Sequence, residues 1–448
     1  MTQLRKVVLL FLGCVLLASV SGCGSSSTTT LPNGLLFAAN TSRPGSVSAL
    51  TVTTGALGFV SGSPFATTGN SPLTLAAASN KFLYAGLPTS GGVVATVLGK
   101  PAAAGAPGGV LLMPIRTNDA LETPQLFASG GDYGIIAVTP SGNALYAADQ
   151  TNNQLAAFSI DSSKGTLTAI GPQGPPAGLP VGFDPFSIAI DPMGKFVFVA
   201  NCDCTNSHNQ GSVSVFQINQ ADGTLSAHGL PLLLNGGTAH PSALAISPDS
   251  KFLFVASLDD MVYVESIAAD GTLTDVPCAN QFPSPCALPP GSRPVAIALS
   301  FDGGNSVYTG NAESDTVSFF LNCLQTPLPI VATTSQGCPT DANGNALAPL
   351  VFQSNSPVGG TVGAVVADPT SIAANSATGA AAIAVGHFLY VTDYDHGTIT
   401  VFSVTSTTTC TNISCPTTAG TLTMIGSGVP TGGAKPYGLA VVPLATSQ

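Results

Sequence analysis

Short apolar runs of about six residues recur down the whole chain, each bounded by Gly, Pro, Asp or Ser. The clearest is KFLFVA at 251–256, and its counterparts start at Leu35 (LLFAAN), Lys81 (KFLYAG), Asn143 (NALYAA), Lys195 (KFVFVA), Asn305 (NSVYTG) and His387 (HFLYVT). Runs this short, rich in aromatic and β-branched residues, predict strands. Their recurrence predicts a repeat fold, in which each unit buries its apolar faces against its neighbours. Around KFLFVA the unit reads in full: PSALAISP at 241–248, a turn at Asp249 and Ser250, the KFLFVA strand, then MVYVESI and GTLTDV. Four short antiparallel strands repeated about an axis make a propeller blade; they are termed A to D.

The A strand is predicted at 72–76, 133–137, 185–189, 241–245, 294–298, 369–373 and 436–440, rich in Ala with Ile or Leu between. Small side chains fit the innermost position of a tapering blade. The repeats begin at Leu35 with a B strand and finish at 437–442 with an A strand. Joining the two closes the ring and leaves no open edge. The expectation is an all-β, seven-bladed β-propeller over 35–448. The second and sixth units are longer than the rest, with extra segments at 99–110 and 322–361 expected to be surface loops.

Composition narrows the class. Only 7% of residues are charged, yet 44% are hydrophobic, so a core can form despite 50 Gly and 35 Pro. The net charge of −11 and the lack of clustered Lys and Arg exclude nucleic acid as a partner. The N-terminus is separate in kind: Arg5 and Lys6, an apolar run over 7–20, then Ser21, Gly22, Cys23 and a GSSSTTT tract. That is an export signal, too short to span a membrane comfortably. Its Val-Ser-Gly-Cys ending resembles a bacterial lipobox, which implies a signal peptide at 1–22, lipidation of Cys23, a flexible tether at 23–34 and a monomer anchored to the membrane in the periplasm or at the cell surface. In that setting the Asn412 sequon is a chance match.

Eight further cysteines fall into four local pairs. An even count in an exported chain reads as disulfides, here Cys278 with Cys286, Cys323 with Cys338, and Cys410 with Cys415. Each closes a short loop, for which chain entropy gives about 2–3 kcal/mol. Cys202 and Cys204 allow two readings, a close disulfide or a thiol pair open to metal. Metal needs more than two ligands and no second pair matches, so no metal site is assigned.

Candidate chemistry gathers at one repeat position. The residue before each predicted A strand is Ser71, Asp132, Asp184, His240, Arg293, Asp368 and Lys435, so six of seven are ionisable in a chain poor in charge. On the innermost strand they surround the mouth of the central channel. Arg293 and Lys435 suit a carboxylate and His240 can exchange a proton near neutral pH; mutual ion pairing is the structural alternative. The B-to-C loops on the same face carry Asp259, Asp260, Glu313, Asp315, Asp393, Asp395 and His396. Such carboxylates can bind calcium, but turn formation accounts for them and no cofactor is assigned.

The Pro-x-x-Ile/Leu-Ala strand, the Ser-Pro-Asp-x-Lys turn at 247–251, the Phe-Leu-Phe-Val-Ala strand and the Gly-Thr-Leu triplets at 165–167, 223–225 and 271–273 resemble the YVTN-type seven-bladed propellers, which include the lactonase-like family. The resemblance covers roughly 35–443. Enzymatic members carry Pro-Arg-His at an A-strand start and Asn-Glu at a B-strand end; neither occurs here, Glu313 being nearest to the second. The reading is therefore a cell-envelope module that binds a small molecule or protein through its channel mouth. The alternative is a lactonase-like hydrolase, related to 6-phosphogluconolactonases, with His240 as general base and Arg293 polarising a carbonyl. Export argues against a phosphorylated lactone.

Overall fold

In the computed structural model the repeat units become seven antiparallel sheets, each ordered A-B-C-D, three of them with a short extra strand beside C. The described residues are 34–443 except 54, 68, 70, 90–107, 128–130, 172–177, 206–207, 279–285, 301–305, 325–337, 339–345, 369–386 and 405–420. The leader, Cys23, most of the tether and the Cys410 and Cys415 pair lie outside them. Among the described residues no helix is long and apolar enough to cross a membrane.

The B strands are continuous apolar runs because a blade sandwiched between two others buries both of its faces. In the strand Phe252–Ser257, Leu253, Phe254, Val255 and Ala256 are fully buried. Phe254 packs with Val264 of its own blade and with Val307 and Phe320 of the next. Burying such a ring stabilises the fold by about 1.5–3 kcal/mol. Two tyrosines at the corresponding B-strand position also reach across the blade boundary. Tyr84 donates its hydroxyl to the Gly165 carbonyl at 2.6 Å and Tyr146 to that of Gly223 at 2.9 Å. Those glycines belong to Gly-Thr-Leu triplets, at φ values of +71° and +74° that disfavour other residues.

The A strands are Leu75–Ala78, Ile135–Val138, Pro185–Ile190, Pro241–Ile246, Pro294–Leu299, Val362–Ala367 and Pro436–Pro443. Each lies against the A strand of the next blade, and Pro436–Pro443 against Leu75–Ala78, so the ring closes. The closure is the expected one. Strand Pro436–Pro443 pairs with Gly34–Asn40, from Gly34 opposite Pro443 to Asn40 opposite Pro436. Blades are numbered here from this one, blade 1.

Blade 7 corrects the expected strand at 369–373, which lies outside the described residues. Its A strand is Val362–Ala367, with Val366 opposite Tyr390 and Ala367 opposite Leu389. The segment Val-Gly-Ala-Val-Val-Ala has the same small and β-branched character, and the Pro following Asp368 made the later segment look like the start of a repeat. The extra segments are also not loops throughout. The first runs into the C strand Gly109–Pro114 of blade 2, and the second contains Leu350–Pro357, the D strand of blade 6. Cys278–Cys286 and Cys323–Cys338 form disulfides, and Cys202 is bonded to Cys204.

Candidate functional site: the mouth of the central channel

One backbone bond identifies the equivalent positions around the ring. The residue following each B strand donates its N–H to the carbonyl of the residue that precedes the A strand, directly or, in blade 3, by three positions: Gln150 to Asp132, Cys202 to Asp184, Leu258 to His240, Ala312 to Arg293, Tyr394 to Thr361 and Thr41 to Lys435. In blade 2 the donor position is Pro88, which has no N–H to give Ser71. The blade 7 member is thus Thr361 and not Asp368. Asp368 sits at the far end of its A strand, in the A-to-B turn, where its N–H donates to Phe388 O and the Tyr390 hydroxyl lies 3.4 Å from its carboxylate. It is removed from the mouth.

Directly after this position the A strands of five blades bulge. The register with the B strand slips between Pro185 and Ser187, Pro241 and Ala243, Pro294 and Ala296, and Val362 and Val365. The slip in blade 1 falls opposite Ala38 and Asn40, leaving Tyr437 and Gly438 in the bulge. A bulge inserts an extra residue and re-aims its side chain. Here Phe186 and Tyr437 turn into one apolar cluster with Leu73, Ile135, Cys202 and Tyr394, which paves the mouth from blades 1, 2, 3, 4 and 7. Below it a channel cavity of about 230 Å³ is lined by all seven A strands.

The ring residues fall into two groups. Asp132 and Asp184 are buried and serve as braces. Asp132 accepts from the Thr89 N–H at 2.8 Å and the Thr151 hydroxyl at 3.2 Å, tying blade 2 to blade 3. Burial raises its pKa against the pull of those bonds. Asp184 accepts both the N–H and the hydroxyl of Thr205, at 2.8 and 2.7 Å. The basic members are more open. The His240 ring places Nδ1 3.1 Å from the Cys202 carbonyl, and its backbone N–H donates to Ser257 Oγ. Arg293, 41% exposed, lies 3.8 Å from Glu313. Lys435 places Nζ 5.8 Å from the centre of the Tyr394 ring, a separation at which a cation is attracted to the ring face.

The backbone at this position is strained. Asp184, Arg293 and Lys435 have φ of +52°, +48° and +58°, each directly before a proline. A side chain there disfavours the left-handed region, and a following proline restricts the residue further. Such outliers collect at functional sites.

The loop carboxylates cap backbone donors. Asp260 accepts from the N–H groups of Gly291 and Arg293, both at 2.7 Å, and Asp395 from Thr361. Asp393 receives the N–H of Asp395 and of His396 and contacts His396 Nδ1 at 2.8 Å. A second carboxylate–imidazole pair, not read from the sequence, joins buried Asp203 to His208 at 2.7 Å. His208 also stacks on Phe183, with 4.1 Å between ring centres. The Asp-x4-His spacing in a loop gives no periodic signal, and neither do the bulges that aim Phe186 and Tyr437.

A larger cavity, of about 400 Å³, lies away from the mouth along the C and D strands of blade 5. Glu265 lines it, buried, with Oε2 lacking a partner and its pKa pushed up to about 8 by burial and by Asp275 opposite it in the sheet. The mouth remains the better candidate site, because seven blades converge on it with basic, aromatic and imidazole groups together.

Residues 111–239 match the family described as Lactonase, 7-bladed beta-propeller. No curated protein matches the chain. Among solved structures, it is similar to a protein from Lactobacillus plantarum, with 16% identity, a TM-score of 0.60, and coverage of 92% of this chain and 100% of that one. It is similar to a putative 6-phosphogluconolactonase from Bacteroides uniformis, with 15% identity, a TM-score of 0.58 and coverage of 92% and 100%. The periplasmic gluconolactonase of Pseudomonas aeruginosa gives 15% identity, a TM-score of 0.59 and coverage of 92% and 99%. These likenesses establish the lactonase-like propeller fold.

Proposed function

We propose that this seven-bladed, lactonase-like propeller hydrolyses an unphosphorylated sugar lactone at its channel mouth. The observation that carries the reading is the placement of His240. A ring whose Nδ1–H donates to the Cys202 carbonyl has the tautomer that leaves a lone pair on Nε2, the form a general base needs. Its neighbour in the ring is Arg293, from the adjacent blade. The apolar floor of Phe186, Tyr394 and Tyr437 suits the face of a sugar ring.

In this scheme His240 takes a proton from water as the oxygen adds to the lactone carbonyl. Arg293 faces the charge that develops on the carbonyl oxygen. The ring C–O bond then breaks, and the alkoxide recovers the proton to give a hydroxy acid. Lys435, over Tyr394, attracts the carboxylate product. The family match over 111–239 and the fold shared with a protein titled gluconolactonase support this reading over a pure binding role. The lipobox-like segment at 20–23 supports placing the reaction in the cell envelope on a lipid anchor.

The test is release of acid from gluconolactone by the purified chain, corrected for spontaneous opening. Turnover that falls at least 100-fold in His240→Ala supports the proposal. Lactone binding that stabilises the fold without turnover would return the mouth to a binding role.

A further inference from the structure

The sequence supplies two cysteines at 202 and 204, and the ligand types beside them in the chain, Asp203 and His208, are bonded to each other; the fold supplies a third donor from the next blade. Both Sγ atoms and a ring nitrogen of His240 lie within 4.8 Å of one another, the one such cluster of three potential metal ligands among the described residues. We infer that, with its disulfide reduced, this trio is a three-donor site for a thiophilic metal ion, Zn²⁺ or Cu⁺, and that the Cys202–Cys204 disulfide is its closed, metal-free state.

Three observations carry the inference. The first is spacing. Tetrahedral zinc with two thiolates and an imidazole sets the donors about 3.5–3.8 Å apart, given Zn–S near 2.3 Å and Zn–N near 2.0 Å. In a cluster already inside 4.8 Å, opening the S–S bond lets the two sulfurs part to that separation beside the imidazole. The second is support. The imidazole is oriented by the Cys202 carbonyl at 3.1 Å, and buried Asp203, between the two cysteines, is fixed by His208 and by the Gln210 N–H at 3.0 Å, so the loop carrying both sulfurs is held from outside. The third is environment. Cys202 is buried, whereas Cys204 is partly exposed, and both pack with Phe186 and Leu258. An attacking thiolate can reach one sulfur, while the apolar wall keeps water scarce around the other. Two thiolates with one imidazole select soft or borderline ions over calcium or magnesium.

The chemistry balances with a dithiol as reductant. One of its thiolates attacks Cys204 Sγ and its second thiol resolves the mixed disulfide, leaving two cysteine thiols and a cyclic disulfide. Binding of the metal ion then releases the two thiol protons. Three protein donors leave a fourth coordination position for water or a ligand atom.

The experiment titrates the full chain with Zn²⁺ against a chromophoric chelator, before and after reduction by a phosphine, and repeats it with Co²⁺ to read thiolate charge-transfer and d–d bands. Reduction also opens the two other described disulfides, so stoichiometry is compared with Cys202→Ser/Cys204→Ser, folding being verified by circular dichroism. The expected result is one more tightly bound ion in the reduced wild type than in that variant, none at this site in the oxidised protein, and at least tenfold weaker binding with an altered Co²⁺ spectrum in His240→Ala. Equal stoichiometry in wild type and double variant would overturn the site. An unchanged Co²⁺ spectrum in His240→Ala would do the same, and neither readout depends on lactone turnover.

Discussion

Asp203 holds His208 by one carboxylate oxygen, at 2.7 Å from Nδ1, and the Gln210 N–H by the other, at 3.0 Å. The pair therefore fixes the loop whose first residue, Cys202, positions His240. Asp203→Asn keeps the shape but replaces an acceptor oxygen by a donor against the Gln210 N–H or the imidazole. Loss of a charge-assisted bond at a buried group costs about 1.5–3 kcal/mol. Urea denaturation should show that loss, and lactone turnover should fall through kcat more than through KM, because the base is misplaced while the floor remains.

Lys435→Ala probes the opposite side of the mouth. It removes the cation over Tyr394 and leaves the base in place. The attraction of an exposed cation for a carboxylate is about 0.2–1 kcal/mol. Inhibition by the hydroxy-acid product should weaken by up to about fivefold, with kcat within a factor of two of wild type; an unchanged inhibition constant would remove Lys435 from the site.

The blade boundaries can be tested without the site. Tyr84→Phe deletes the hydroxyl that reaches Gly165 and leaves that carbonyl without its partner in a buried place. The expected cost is about 1–2 kcal/mol in the unfolding free energy from urea denaturation. Phe254→Ala, which empties a fully buried position, should cost about 3–5 kcal/mol.

Glu265 makes stability depend on pH in an unusual direction. In the fold it holds its proton up to about pH 8, whereas the ordinary value is 4.5. Between those values the folded state binds more protons than the unfolded one, so its contribution falls as pH rises from 4.5 to 8 and is absent as a penalty below 4.5. Each pKa unit corresponds to about 1.4 kcal/mol. Glu265→Gln should raise the melting temperature at pH 8, leave it nearly unchanged at pH 4.5, and flatten the profile between; a parallel shift at both pH values would contradict this origin.

The seven B strands were legible because their burial on both faces writes itself as an apolar run, and the ring closure followed from a missing A strand at one end and a spare one at the other. Val362–Ala367 escaped because Gly363 and Ala364 sit in its bulge and interrupt the expected alternation. With it the repeat spacing places Asp368 at the mouth and passes over Thr361. His240, Arg293 and Lys435 could be found because repeat position alone brings them together. The third ligand for Cys202 and Cys204 could not, since it lies 36 residues beyond Cys204 in the neighbouring blade.

The seam between Gly34–Asn40 and Pro436–Pro443 makes the mouth a report on the closure of the ring. Lys435 and Tyr437 arrive on the last strand, about 400 residues after the partner it pairs with. Until that strand docks, blade 1 lacks its inner edge and the floor lacks one of its two aromatic bulge residues. A chain clipped before Lys435 would hold most of its blades and still lack an assembled mouth, so the proposed site depends on closure of the ring and not on any single blade.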